Sequence, residues 1–226
     1  MTLQDIYDQL TYGPLKNLFV ASRNMEDVGI EGEDFKSLFP HIQLGLNAIH
    51  SRMFMREGRT VLELEEGKVS YLVSPTEQNL LEIEQVWGVY CSKAYEIPLD
   101  ELDEPVSIRR TSHNSIIIPD DAELAPWLSE TTELTVVYRA NHPEIKDYIA
   151  NSAPLATEIF LPSTHLQALL LHVAGTVHTP IGMKNEFHAG RDYRNEFDME
   201  MQRLELAGFD IKATSNNTRL RKAGFP

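Results

Sequence analysis

The feature that most constrains this chain is a hydrophobic period that changes twice. From Asp34, the residues Phe35, Leu38, Phe39, Ile42, Leu46, Ile49 and Met53 follow three- and four-residue steps, which place them on one side of a helix. After Gly58 the period drops to two: Leu62 and Leu64 alternate with Glu63 and Glu65, and Val69, Tyr71 and Val73 alternate with Ser70 and Leu72. Strand-like runs continue in "LLEIEQVWGVYC", "VSIRR", "SIIIP" and "ELTVVYRA", separated by Pro, Asp and Ser clusters. The helical period returns at "LPSTHLQALLLHVAGTVHTP". One segment cannot serve both periods, because side chains recur on a face every 3.6 residues in a helix and every second residue in a strand. The helix-strand alternation that builds a parallel sheet is missing from the middle region. The expected fold is therefore α+β and mainly α. It is a helical bundle, made of N-terminal helices and two long antiparallel C-terminal helices, with an inserted antiparallel β-sheet region. The expected divisions are 1–57 for the N-terminal helices, 58–142 for the β region, 143–210 for the C-terminal helices and 211–226 for an extended tail.

Local signals sharpen this outline. "TLQD" has the spacing of a capping box, and Leu3, Ile6 and Leu10 follow at helical intervals, so a short first helix should end near Gly13-Pro14. "RNMEDVGIEGEDF" reads as a loop. Pro40 lies inside the next periodic run, so that helix either begins near Phe39 or is kinked there. Glu66-Gly67 is a hairpin signal between two alternating runs. Pro162 is tolerated in a first turn, and Leu166, Leu169, Leu170, Val173 and Val177 should form one apolar stripe. Thr179-Pro180-Ile181-Gly182 should stop that helix. A second runs from about Asn185 to Ala207, with Phe187, Tyr193, Phe197, Met201 and Leu204 apolar and Gly208 as its stop.

At 226 residues the chain can bury a core without staples, and its 42% apolar and 24% charged shares are ordinary globular values. Cys91 is the sole cysteine, which excludes an internal disulfide framework and a zinc site built on several thiolates. The N-terminus lacks a basic start and apolar run, and no stretch approaches the ~18 apolar residues of a membrane span, so a soluble cytoplasmic protein is expected. The net charge of −14 argues against grasping nucleic acid, since phosphates are neutralised by a basic face. It is compatible with DNA sliding past, because an acidic wall repels the backbone. The final twelve residues, "SNNTRLRKAGFP", reverse the sign: they carry Arg219, Arg221 and Lys222 and no acid.

Catalytic constellations do not emerge from the spacing. His165, His172 and His178 lie about two helical turns apart, ~10 Å, whereas ligands of one ion sit ~2 Å from it, so they read as solvated or interface histidines. The acids of "LELEE", "DELDE" and "PDDAE" lack the central glycine and terminal glutamate of a calcium loop and read as solvated surface. No phosphate-binding glycine loop, nucleophile elbow or zinc-protease motif occurs. Cys91 reads as a core position. Trp87, Tyr90 and Tyr95 have only Lys93 among them, too little charge for a single-strand binder, and read as sheet core or subunit interface. No cofactor, metal or catalytic residue is expected.

The order of these pieces resembles the head-to-tail connector (adaptor) proteins of tailed bacteriophages. The resemblance rests on the closing strand "ELTVVYRANHPEI" with its Tyr138-x-x-x-His-Pro exit, the Leu161-Pro162 step opening an Ala- and Leu-rich helix, and the long helix "NEFHAGRDYRNEFDMEMQRLELAGF". It covers residues 34–226; the short helix at 2–13 is a departure. It implies a structural virion protein, not an enzyme. About twelve copies would form a ring beneath the portal protein, extend the DNA channel and offer a platform to a downstream neck or tail protein. It would be made in host cytoplasm and reside in the virion neck, with no membrane contact. The C-terminal segment commonly docks onto the portal in this family, which makes Arg219, Leu220, Arg221, Lys222 and Phe225 the candidate docking residues. Alternatives are another phage neck or head-completion protein and, from a different class, a small cytosolic enzyme or regulator.

Overall fold

The computed structural model describes residues 1–16, 32–75, 80–90, 93–101, 104, 106–119, 131–145, 156–178 and 184–209. The chain divides into two compact units, Met1–Phe54 with Glu144–Pro226, and Met55–Pro143. The first is helical and the second is built of strands.

In the helical unit, α1 spans Leu3–Tyr12 and starts on the capping box expected from "TLQD". Thr2 Oγ1 accepts from the Asp5 backbone N–H, and the Asp5 carboxylate accepts from the Thr2 N–H at 2.8 Å. These bonds satisfy two of the donors that a helix start leaves open, and they hold the Asp5 carboxyl below its ordinary value. Leu3, Ile6, Tyr7 and Leu10 are buried on one face. The chain start is further tied down by Leu3 N–H to Thr157 O and Ile159 N–H to Met1 O.

The second helix, α2, spans Gly32–Arg52 and runs through Pro40. A start at Phe39 is thereby excluded, and the end of the expected loop, from Gly32, is helical. Pro40 is exposed, while Leu38, Phe39, Ile42, Leu46 and Ile49 are buried, so the apolar side carries the helix across the missing proline donor.

A 3₁₀ turn at Ser163–His165, entered from an extended Pro162, leads into α3, Leu166–His178. Burial is not confined to the expected stripe. Ala168, Leu171, Ala174, Gly175 and His178 are buried as well, and Gln167 is the one exposed position. The reason is that α3 packs against α1, α2 and the last helix together. Small residues on its other sides permit those approaches.

The last helix, α4, spans Lys184–Leu206 and buries Gly190, Phe197, Met201 and Leu204. It runs antiparallel to α3, since His165, His172 and His178 meet Phe209, Phe197 and Tyr193 in reverse order. Gly208, at φ 74°, ends it. Gly208 N–H bonds to Glu205 O and Phe209 N–H to Leu204 O, the paired bonds of a glycine-terminated helix.

Among the described residues the β unit holds seven strands: β1 Glu57–Glu63, β2 Ser70–Leu72, β3 Leu80–Tyr90, β4 Lys93–Ile97, β5 Arg109–Ser112, β6 Ser115–Ile117 and β7 Glu133–Ala140. They form two antiparallel sheets, ordered β1-β7-β3-β4 and β2-β6-β5. Both sheets supply one core of Tyr71, Val73, Ile83, Val86, Ile97, Ile108, Ile116, Ile118, Leu134 and Val136. Each such side chain removed from water stabilises the unit by about 1.5–3 kcal/mol before chain entropy is counted.

This architecture overturns the expected mainly-α bundle. Of the described residues about 42% are helical and about 26% lie in strands, and four helices stand beside seven strands in two antiparallel sheets. Two long C-terminal helices were expected, but α3 has 13 residues against 23 in α4, because the extended Pro162 and the 3₁₀ turn delay its start. "KAYEI", now β4, was not among the expected strands. Another correction concerns Glu66-Gly67. Gly67 does turn with φ 73°, yet β1 and β2 belong to different sheets, so the turn makes no hairpin. Along its whole length β1 pairs instead with β7, Glu57 opposite Arg139 through Glu63 opposite Glu133.

Candidate functional site

The candidate docking residues Arg219, Leu220, Arg221, Lys222 and Phe225 lie outside the described residues, as do Cys91 and the acids of "PDDAE". The polar chemistry that the described residues do gather is in two places, one in each unit.

In the helical unit it is a set of histidines on α2 and α3. Solvated or interface histidines are expected on α3 and the 3₁₀ turn before it, but His165 and His178 are buried and His172 is half-buried. Each lies against a ring from α4 or its cap. The centroid distances are 6.5 Å for His165–Phe209, 5.1 Å for His172–Phe197 and 5.3 Å for His178–Tyr193. The α3 spacing of seven and six residues therefore tracks the apolar seam with α4, not a solvent face. His165 Nε2 also approaches Met53 Sδ at 3.0 Å, and its Nδ1 meets Thr164 Oγ1 at 3.0 Å. On α2, the buried His50 donates from Nε2 to Phe160 O at 3.2 Å.

The centre of this set is His172. Its Nδ1 is buried with no hydrogen-bond partner among the described residues. It faces Gly45 of α2, where an added Cβ would sit 3.1 Å from Nδ1 and 2.6 Å from Leu169 Cδ1, so a glycine is what lets α2 and α3 come this close. On the α4 side Phe197 also carries the Arg52 guanidinium 5.3 Å from its ring centroid, and Arg52 is bridged to Asp198 at 2.7 Å. Burial pushes the His172 imidazole below its ordinary value; Arg194, Arg52 and His41 push the same way, and Asp198 opposes them. His41 is held down by burial as well. It meets Thr176 Oγ1 at 3.1 Å, and that hydroxyl donates its own proton to Val173 O at 2.9 Å. The bond therefore runs from His41 Nδ1–H to the hydroxyl oxygen.

In the β unit the polar centre is Arg110. Its backbone N–H donates to Asp100 Oδ1 at 2.7 Å and its Nε to Asp100 Oδ2, while Nη1 reaches Glu82 Oε1 at 2.9 Å and Ile83 O at 2.8 Å. Asp100 adopts φ 57°, a left-handed conformation that aspartate tolerates better than most residues. Ser107 Oγ accepts from Glu101 N–H at 2.9 Å and lies 3.1 Å from Pro98 O, closing the same segment at its neck. The first acid of "DELDE", Asp100, is exposed, as its surface reading has it, and also pairs with Arg110. Of the aromatic residues read as core or interface, Tyr95 is 44% exposed and Trp87 is half-buried with Nε1 donating to Gln85 Oε1 at 3.3 Å. The Tyr90 side chain lies outside the described residues.

Among the described residues no three His, Cys, Asp or Glu side chains are grouped to hold a metal ion, and no helix is long and apolar enough to cross a membrane. No protein-family model matches the chain, and no curated protein is similar to it in sequence.

Proposed function

We propose that this chain is a structural connector of a tailed-phage virion, which forms a ring of about twelve copies beneath the portal and carries the DNA channel toward the neck and tail. The observation that supports the reading most is the layout of the chain. Its two ends build one helical unit, and the strands between them form a separate antiparallel unit. A component of this kind acts by presenting surfaces to its neighbours. Charge supports the same reading: a body far on the acidic side lets a phosphate backbone pass without adhering, and the basic C-terminal segment supplies the complementary sign for an acidic partner.

In this proposal Arg219, Arg221 and Lys222 meet acids of the portal, and Leu220 and Phe225 fill apolar pockets on it. The test is to mix the protein with portal rings and read electron micrographs for added ring density. Deleting 215–226 should abolish that density and leave thermal stability nearly unchanged. Replacing the three basic residues by Ala should weaken docking and reduce its salt sensitivity, whereas Phe225→Ala should weaken it with little change in salt response. A truncated chain that still adds a ring to portals would refute the docking role of the tail. Full-length protein that never adds one would refute the connector reading itself.

A further inference from the structure

We propose that the helical unit is an acid-released assembly: His172 and His41 hold α2, α3 and α4 together in their neutral forms, and protonation loosens the contact. The geometry around His172 carries this. An imidazolium bears N–H on both nitrogens, and Nδ1 of His172 is buried against Gly45 with no acceptor among the described residues. With no acceptor at Nδ1 the neutral ring carries its proton on Nε2, so charging the ring is what strands a donor at Nδ1.

Neighbouring charge does not rescue the cation. Among the described residues, the charged and titratable groups acting on His172 are His41 and Arg52 from α2 and Arg194 and Asp198 from α4, with none from α1. Three of these four are bases, and the one acid, Asp198, is already bridged to Arg52. An aromatic ring can stabilise a cation, but Phe197 already carries the Arg52 guanidinium. His41 behaves in parallel. Its Nδ1 proton is committed to Thr176, so acid must add a proton at Nε2, and each charge added at His41 or His172 opposes the other across the α2–α3 contact.

The direction with pH follows by linkage. Both rings have folded-state values below the unfolded value of 6.5, so the unfolded chain binds more protons as pH falls below 6.5. The stabilisation is complete above that pH and is lost on acidification toward the folded values. Each proton taken up on unfolding raises the unfolding equilibrium constant about tenfold per pH unit, so the pair together contributes a steepness of up to about a hundredfold per unit.

The experiment is urea unfolding of the full chain, followed by helical circular dichroism at half-unit steps from pH 8.0 to 5.0, in the unmodified protein and in His172→Phe and His41→Gln. Phe keeps a ring against Phe197, and Gln keeps a donor for Thr176. Each variant should lose up to about one tenfold step per pH unit of the acid steepness below pH 6.5, and the double variant the steepness of both. In parallel, the His172 ring resonances of the folded, unmodified protein should stay those of neutral imidazole through pH 6.5. Unchanged steepness in His172→Phe, or a His172 ring that titrates in the folded protein at or above its ordinary value, would overturn the proposal. Should His172→Phe fail to fold, the resonance titration of the unmodified protein decides by itself.

Discussion

Replacing Gly58 by Ala tests the cross-strand packing of the β unit at one atom. Gly58 stands opposite Tyr138 in the β1–β7 ladder. A Cβ at Gly58 would overlap Cζ of that ring and lie 2.5 Å from Cε2 and 2.6 Å from Oη. Carbon atoms at rest are separated by about 3.5–4.0 Å, so the overlap is about 1 Å. Tyr138 is only 5% exposed and sits on β7, between β1 and β3, so its ring has little room to withdraw. Overpacking of this kind costs about 1–3 kcal/mol. Removing a glycine from a strand returns about 0.5–1 kcal/mol of backbone entropy. The expected net loss is therefore about 0–2.5 kcal/mol, read as a lower urea midpoint at pH 7.5 with an unchanged slope. The decisive comparison is the same substitution in a Tyr138→Val chain. That background alone should lose about 2–4 kcal/mol, the range of a buried aromatic trimmed to a small side chain. With the ring gone, Gly58→Ala should turn neutral or stabilising by up to about 1 kcal/mol. Equal destabilisation by Gly58→Ala in both backgrounds would show that the tyrosine ring does not cover the glycine, and the packing argument would fail.

Thr2→Ala removes one half of the α1 capping box and should lower the stability of the helical unit by about 1 kcal/mol, with the Asp5 carboxyl moving back toward its ordinary value in a carboxylate NMR titration. Asp100→Ala strands the Arg110 backbone N–H and places alanine at a left-handed φ. Because both side chains are about a third exposed, a screened loss of about 1–2 kcal/mol is expected in urea unfolding. Asp100→Asn, which keeps the backbone acceptor and tolerates that φ, should recover about half of it.

What the chain showed before folding is what depends on neighbours within a turn or two. The Thr2–Asp5 cap closes over three residues, Gly208 ends α4 by bonds to Leu204 and Glu205, and the switch of period at Gly58 marks the passage from helix to strand. Each is a local interaction written in adjacent letters. The strand "KAYEI" is not legible in the sequence because it is short and charged, and its place in the sheet comes from pairing with β3.

Partner choice was decided only in three dimensions. Glu66-Gly67 turns the chain, but whether two flanking strands pair depends on what else can reach them, and β7 claimed β1 while β6 claimed β2. The same holds for the site. Ala168, Ala174 and Gly175 fall outside any apolar stripe read by size, yet smallness is what lets α3 be enclosed by three helices. Asp100 looks like one more surface acid until Arg110 is folded beside it. Histidine spacing excluded a shared metal ion but said nothing of the rings of Phe197 and Tyr193, which reach α3 from a separate helix. A histidine's charge depends on the water and ions around it, and those are set by packing between residues distant in sequence.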